Sequence, residues 1–224
     1  AYDLLAKFYY HGAFLEHSYH EAFINYKKSA DLGYVPAHNS VAFMYRKGLW
    51  TERHISRAEE YYRKAIQLGS IDSIDTLGSM LYQFGNKERA VEILKESKTE
   101  KPFIYKLLGD AYDYSSCENP DYEAIATYYK KASVLGSTDA IHRLATVYFY
   151  GHMGKDFNQS AELYKQSAKA GNMSSQYMLG WQYERGLGVQ ENVDKALYWF
   201  ENAALQVEPY AHLELGNLLM IINL

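Results

Sequence analysis

The run Glu16-His17-Ser18-Tyr19-His20-Glu21 is the densest group of potential metal ligands in the 224-residue chain. Imidazoles three residues apart beside a carboxylate can hold zinc. No third ligand is evident, however, so the run is assigned to solvated cap residues at a helix start. A second candidate is Gly186-Leu187-Gly188-Val189, because a Gly-rich turn ahead of a helix can cradle a phosphate. A phosphate loop also needs a strand before it and a Lys-Ser or Lys-Thr pair after it, and the sequence offers neither. The same slot reads GAFLEH, GLWTER and GHMGK elsewhere in the chain. No nucleotide site would tolerate those versions, so the glycines are assigned to a tight turn. Cys117 stands in SSCENP with no catalytic motif around it, which reads as an incidental loop thiol. As the single cysteine it also excludes an internal disulfide framework. Lys27-Lys28 and Lys130-Lys131 lie near the ends of helical patterns, where the helix dipole explains them. No Ser-His-Asp elbow or aimed carboxylate pair occurs. No catalytic, cofactor or metal residue is therefore assigned, and the chain is not expected to be an enzyme.

The elements that carry these residues follow from an internal repeat. The pattern Ser175-x-x-x-Leu179-Gly180-x-x-Tyr183-x-x-Gly186 recurs from Ala1, Ala37, Ser73, Ile104, Ala140 and Ala211, at intervals of 36, 36, 31, 36, 35 and 36 residues. A fixed period of this length is the signature of a solenoid. Its large apolar slot holds Leu5, Val41, Leu77, Leu108, Leu144, Leu179 and Leu215. The next slot is always Ala or Gly, and three residues on comes Tyr or Leu. Spacings of four and three place these side chains on one helix face.

A second helical pattern follows in each unit. It opens on a capping residue (Ser18, Asn86, Asp121, Asp156 or Asn192) and keeps a small or apolar residue four positions before Tyr26, Tyr62, Leu94, Tyr129, Tyr164 or Phe200. Gly33, Gly69, Gly136 and Gly171 then stand where a left-handed helix end is wanted. The expected fold is all-α: an α/α solenoid, a right-handed superhelix of about six helix-turn-helix repeats plus a partial seventh. The repeats fall near residues 1–35, 36–71, 72–101, 102–138, 139–173, 174–208 and 209–224, within a single solenoid domain. Because the pattern is already running at residue 1, the chain is expected to be a fragment of a longer protein.

The pattern resembles the Sel-one-like repeat family, relatives of tetratricopeptide repeats with a longer loop inside each hairpin. LGWQYERGLGVQENVDKALYWFENAA carries the resemblance most fully. Two departures stand out. The third unit places Asn86 directly after Gly85 and so lacks the inner loop, and the fourth has SSCENP in the loop slot. Both are expected to alter the curvature midway. The resemblance implies an adaptor or scaffold that binds proteins. Some bacterial members have been connected with β-lactam chemistry, but they carry a regular cysteine pair that is absent here.

Composition agrees with a packed, non-catalytic protein. The chain is 48% apolar and carries 23 basic against 27 acidic residues, a net charge of −4. That balance argues against a nucleic-acid partner. No apolar run reaches the roughly 18 residues of a membrane span, so direct membrane insertion is not expected. Asn158 and Asn172 begin N-x-Ser sequons, expected in loop slots. They leave a secretory or ER lumen as the alternative to a cytoplasmic location.

In tetratricopeptide-like hairpins the first helices line the concave side. The residues two before and two or five after the large apolar slot should then face the groove. Phe43, Tyr82, Phe149, Tyr177 and Trp181 are unexpectedly large for an exposed row, and Arg46 and Glu184 add charge to it. Large amphipathic rings are the anchors of protein interfaces; the alternative is that these rings pack against neighbouring helices or flanking repeats. The expected function is a scaffold binding a protein or peptide along this face, or else a regulatory domain of an enzyme whose catalytic part lies elsewhere. Leu215, Leu218, Leu219 and Ile222 are expected to leave an apolar stripe on the uncapped last helix, giving self-association through that end.

Overall fold

A computed structural model of the protein describes residues 1–115, 120–206 and 209–222. Cys117 and the side chains of Leu219 and Ile222 lie outside the described residues. The described residues form thirteen helices and no strand. First helices are α1 (Tyr2–His11), α3 (Val35–Lys47), α5 (Ile71–Gln83), α7 (Pro102–Ser115), α9 (Thr138–Tyr150), α11 (Met173–Arg185) and α13 (Pro209–Ile222). Each but the last pairs with a second helix: α2 (Tyr19–Asp31), α4 (Ile55–Gln67), α6 (Lys87–Lys95), α8 (Tyr122–Val134), α10 (Phe157–Lys169) and α12 (Val193–Leu205). The six hairpins and lone thirteenth helix match the repeat count read from the period. They belong to two compact units, Ala1–Thr99 and Glu100–Leu224.

Local chemistry sets the helix ends. Ser18, Asp121, Asp156 and Asn192 each accept a hydrogen bond from the backbone N–H three residues on, satisfying a donor the helix cannot use itself. Asn86 departs from this expectation and makes no side-chain cap bond. Only Phe84, Gly85 and Asn86 join α5 to α6, so the inner loop is indeed missing there. Of the two sequons, Asn172 lies in an inter-helix turn as expected and Asn158 does not. Asn158 is the exposed second residue of α10. Asn172 caps α11, accepting from the Ser175 N–H at 2.8 Å and donating to the Asp139 carboxylate at 3.2 Å.

Within a hairpin, the small slot of the first helix meets the large residue of the second. A side-chain carbon on Gly109 would lie 2.6 Å from the Tyr129 ring, and one on Gly180 would lie 2.8 Å from Phe200. On Gly78 it would fall on Leu94. Tyr62, Tyr129, Tyr164 and Phe200 are completely enclosed as a result. Burying each such ring contributes about 1.5–3 kcal/mol. The same slots fill the core of Ala1–Thr99 (Val41, Leu77, Leu81) and of Glu100–Leu224 (Leu108, Leu144, Leu179).

The thirteenth helix differs from its expectation. Leu218 is buried, at 4% exposure, and joins the core around Leu179 and Phe200. Leu215 is half-buried against the same core. Among the described residues, the large apolar side chains that α13 exposes are instead Tyr210, Leu213 and Met220, and Gly216 has no atom within 4 Å of its would-be side chain.

Candidate functional site

The buried tyrosines need hydrogen-bond partners, because an unpaired hydroxyl in a core costs about 1–3 kcal/mol. For two of them the first helices supply these from the row expected to face a groove. The Tyr129 hydroxyl donates to Asp110 Oδ1 at 2.9 Å, and the Tyr164 hydroxyl lies 3.0 Å from Thr146 Oγ1. Burial pushes both phenols far above their usual range, and Asp110 reinforces this at Tyr129. Where the enclosed ring is Phe200, with no hydroxyl, the slot above it holds the apolar Trp181 rather than a polar residue.

A second part of the row stitches consecutive repeats together. Asn39 accepts from the Ser73 hydroxyl at 2.6 Å, and His142 Nδ1 lies 2.8 Å from Ser175 Oγ. The two pairs occupy identical repeat slots, so serine four before the large apolar residue is the signal for this bond. Neither bond is part of the sequence expectation. Asp75 turns inward to accept from Ser97 and Thr99. Lys106 pairs with Asp110 at 2.6 Å, and Lys7 with Asp3 at 2.9 Å.

Burial, assisted by the Arg143 charge and opposed by Asp139, holds the His142 imidazole down at about 4 against an ordinary 6.5. The unfolded chain thus takes up a proton near pH 6.5 that the folded chain refuses until about 4. Stability is fully present above pH 6.5 and is lost as pH falls through that window, by about 2–3 kcal/mol. His142→Asn should keep the Ser175 bond, as Asn39 does with Ser73, and flatten the dependence. Urea midpoints between pH 7 and 4 check this. An unchanged slope in the variant would assign the pH dependence to other groups.

The remaining row members are those singled out from sequence, with one correction. Phe149 is 8% exposed and packs edge-on against Phe157, Tyr164 and Trp181. It is a core ring, because the loop before α10 brings Phe157 over it. Tyr177 is half-buried between Phe200 and Tyr210, with ring centroids 5.8 and 6.2 Å away. Trp181 is half-buried beside Phe149 at 5.6 Å, and the Arg185 guanidinium covers its ring at 4.5 Å. Glu184, at 23% side-chain exposure, has a shielded Oε2 with no hydrogen-bond partner. Burial raises its carboxyl above the usual range; Arg185 opposes this and Glu214 adds to it.

In the first unit, the Arg46 guanidinium lies over the half-buried Phe43 ring at 5.5 Å, and Lys87 covers Tyr82 at 5.7 Å. Arg46 Nε is shielded and has no hydrogen-bond partner. Phe43 also forms one wall of a cavity of about 300 Å³ between α1 and α3, with Lys7, Tyr10, Asn39 and Met44 around it and Tyr26 from α2. The residues that look like chemistry are occupied otherwise. His20 packs its ring on Trp50 at 4.1 Å, and His17 packs on Tyr19 at 4.4 Å. Among the described residues, no group of three metal-ligating side chains comes together. Nor is any helix there long and apolar enough to cross a membrane.

Comparison with known proteins places these features. Protein sel-1 homolog 2 of Rattus norvegicus is 26% identical over 155 residues, covering 69% of this chain and 18% of that protein. Chitin synthase regulator SKT5 of Saccharomyces cerevisiae is 35% identical over 91 residues, covering 40% of this chain and 13% of that protein. The chain thus spans less than a fifth of these relatives' length. Among solved structures, c5321, a protective antigen of uropathogenic Escherichia coli displaying an SLR fold, superposes with a TM-score of 0.81 at 25% identity, over 96% of this chain and 48% of that one. A Sel1 repeat protein from Oxalobacter formigenes shares the fold with a TM-score of 0.63 at 23% identity, over 92% of this chain and 86% of that one. The Sel1 repeat model itself matches residues 1–34, 35–70, 138–172 and 174–207, more than half of the sequence. On those repeats, and on the hairpins they form, the chain belongs to the Sel1 repeat family.

Proposed function

We propose that the chain is a non-catalytic interaction scaffold that binds a protein or peptide along the exposed side of its first helices. Sel1 and TPR-like repeats mediate protein–protein interaction. The supporting observation is the pairing of a half-exposed ring with an arginine over its face, at Phe43 with Arg46 and at Trp181 with Arg185. The rings sit in the same repeat slot, where two other repeats carry Asp110 and Thr146, both spent on core tyrosines. A rigid ring flanked by cationic and carboxylate groups is the composition of an interface anchor.

Trp181→Ala should weaken capture of the bound partner from a cell extract by about 2 kcal/mol, roughly 30-fold. Because the indole packs on Phe149, the variant should also lower the thermal midpoint, so folding is first checked by circular dichroism. Lys131→Ala, at an exposed position of α8, should change neither. Equal capture by folded Trp181→Ala and the parent chain would place the partner on another surface.

A second reading is a regulatory part of an enzyme assembly. It is favoured by the relative named as a chitin synthase regulator, matched at 35% identity over 91 residues. Reconstitution with a candidate synthase, with its activity measured at rising concentrations of the chain, tests it. Activity that never changes would remove this reading.

A further inference from the structure

We infer that the face formed by α1 and α3 selects a peptide bearing an acidic side chain, whose carboxylate is received by Arg46 while an adjoining apolar residue enters the cavity beside Phe43. The inference rests on the interaction face proposed above and adds the charge of its ligand. Its ground is the local charge balance. Lys7 is neutralised by Asp3 on the same helix at 2.9 Å. Asp75, the carboxylate nearest in repeat register on the following first helix, is 6% exposed and turned inward onto Ser97 and Thr99. No described carboxylate pairs with Arg46, and its Nε is shielded from water without a hydrogen-bond acceptor.

A guanidinium in that position has lost part of its hydration and gained only the Phe43 ring in return. An unpaired, partly buried cation is costly, and a carboxylate is the group whose planar geometry matches its fork. Tyr62, enclosed beneath, feels the Arg46 charge but donates no negative group at neutral pH. The face therefore keeps a net positive charge on α1 and α3, although the whole chain carries −4. The cavity of about 300 Å³ beside Phe43 is bounded by Tyr10, Tyr26 and Met44, which suits an aromatic or branched aliphatic side chain next to the acid. The second unit is built with the opposite sign in the same slot, where Glu184 stands in place of Arg46. That difference makes charge preference a property of this face rather than of the repeat.

The test uses short linear peptides of random sequence displayed on phage, selected separately by the 224-residue chain and by variants whose folding is confirmed by circular dichroism. The parent chain should enrich Asp or Glu at one position beside an aromatic or branched aliphatic residue. Arg46→Lys should retain that enrichment, Arg46→Gln should lose it, and Arg46→Glu should favour Lys or Arg at the same position. A selected peptide synthesised with Gln or Asn in place of its acid should bind the parent chain about tenfold more weakly. If selected peptides depend on Phe43, shown by loss with Phe43→Ala, yet keep the same charge preference in Arg46→Glu, the face binds peptides but the carboxylate inference is wrong. If binding ignores both Phe43 and Arg46, or no peptide is enriched, the inference and the interaction face on this unit both fall.

Discussion

Gly188→Ala is expected to cost about 2–5 kcal/mol, against about 1–2 for Gly186→Ala two residues earlier. Both glycines adopt left-handed backbone, with φ of 71° and 65°, so each alanine meets the same dihedral penalty. They differ in what surrounds them. The nearest atoms to a side-chain carbon on Gly186 are 3.5 Å away, an ordinary contact. On Gly188 the new carbon would fall directly on the Phe157 carbonyl, which belongs to the first turn of α10 in the preceding repeat. A helical backbone cannot swing aside as a side chain can, so the loop must lift and loosen the contact between repeats. Denaturant titration of the two variants reads the difference. Equal losses would mean that the loop moves freely and that Gly188 does only turn-forming work.

The second large effect is at Phe200, which is fully enclosed against Gly180. Phe200→Ala should lose about 3–5 kcal/mol by opening a ring-sized cavity. Gly180→Leu alone should lose about 1–3 kcal/mol by overpacking the same space. The two changes are complementary in volume, so the double variant should be more stable than the sum of the singles predicts, by about 1 kcal/mol or more. Strict additivity in a double-mutant cycle would show that the ring and the glycine do not share one contact.

These two sites also mark what the sequence made legible. The period, the hairpins and the small-then-large slots are local patterns, and a 3.6-residue helix turns them directly into a buried face. The tight turn at Gly186 and Gly188 was legible for the same reason. The press of Gly188 on Phe157 was not, because that contact joins residues 31 positions apart in the chain. At the equivalent slot Trp50 takes φ of 71° and packs its ring on His20 instead, so the loop's sequence alone hides how closely it lies. Phe149 was misplaced because its slot is exposed only if nothing covers it, and Phe157 does. Leu218 failed likewise: α13 turns it onto the preceding hairpin and leaves Leu213 and Met220 outside. The bonds Asn39–Ser73 and His142–Ser175 correspond to a serine slot in the repeat, but the period alone does not say that this slot faces the preceding repeat.

If partners use the exposed side of the first helices, site-specific photo-crosslinking will reveal it. A photoreactive phenylalanine analogue is placed in turn at Lys7, Tyr82 and Glu184 on first helices, and at Glu92, Glu162 and Glu201, exposed on second helices. The variants are irradiated in cell extract, and crosslinked species are resolved and identified. A discrete crosslinked partner is expected from the first-helix positions and none from the second-helix positions. Crosslinks to the same partner from Glu92, Glu162 or Glu201, with Lys7, Tyr82 and Glu184 silent, would contradict it.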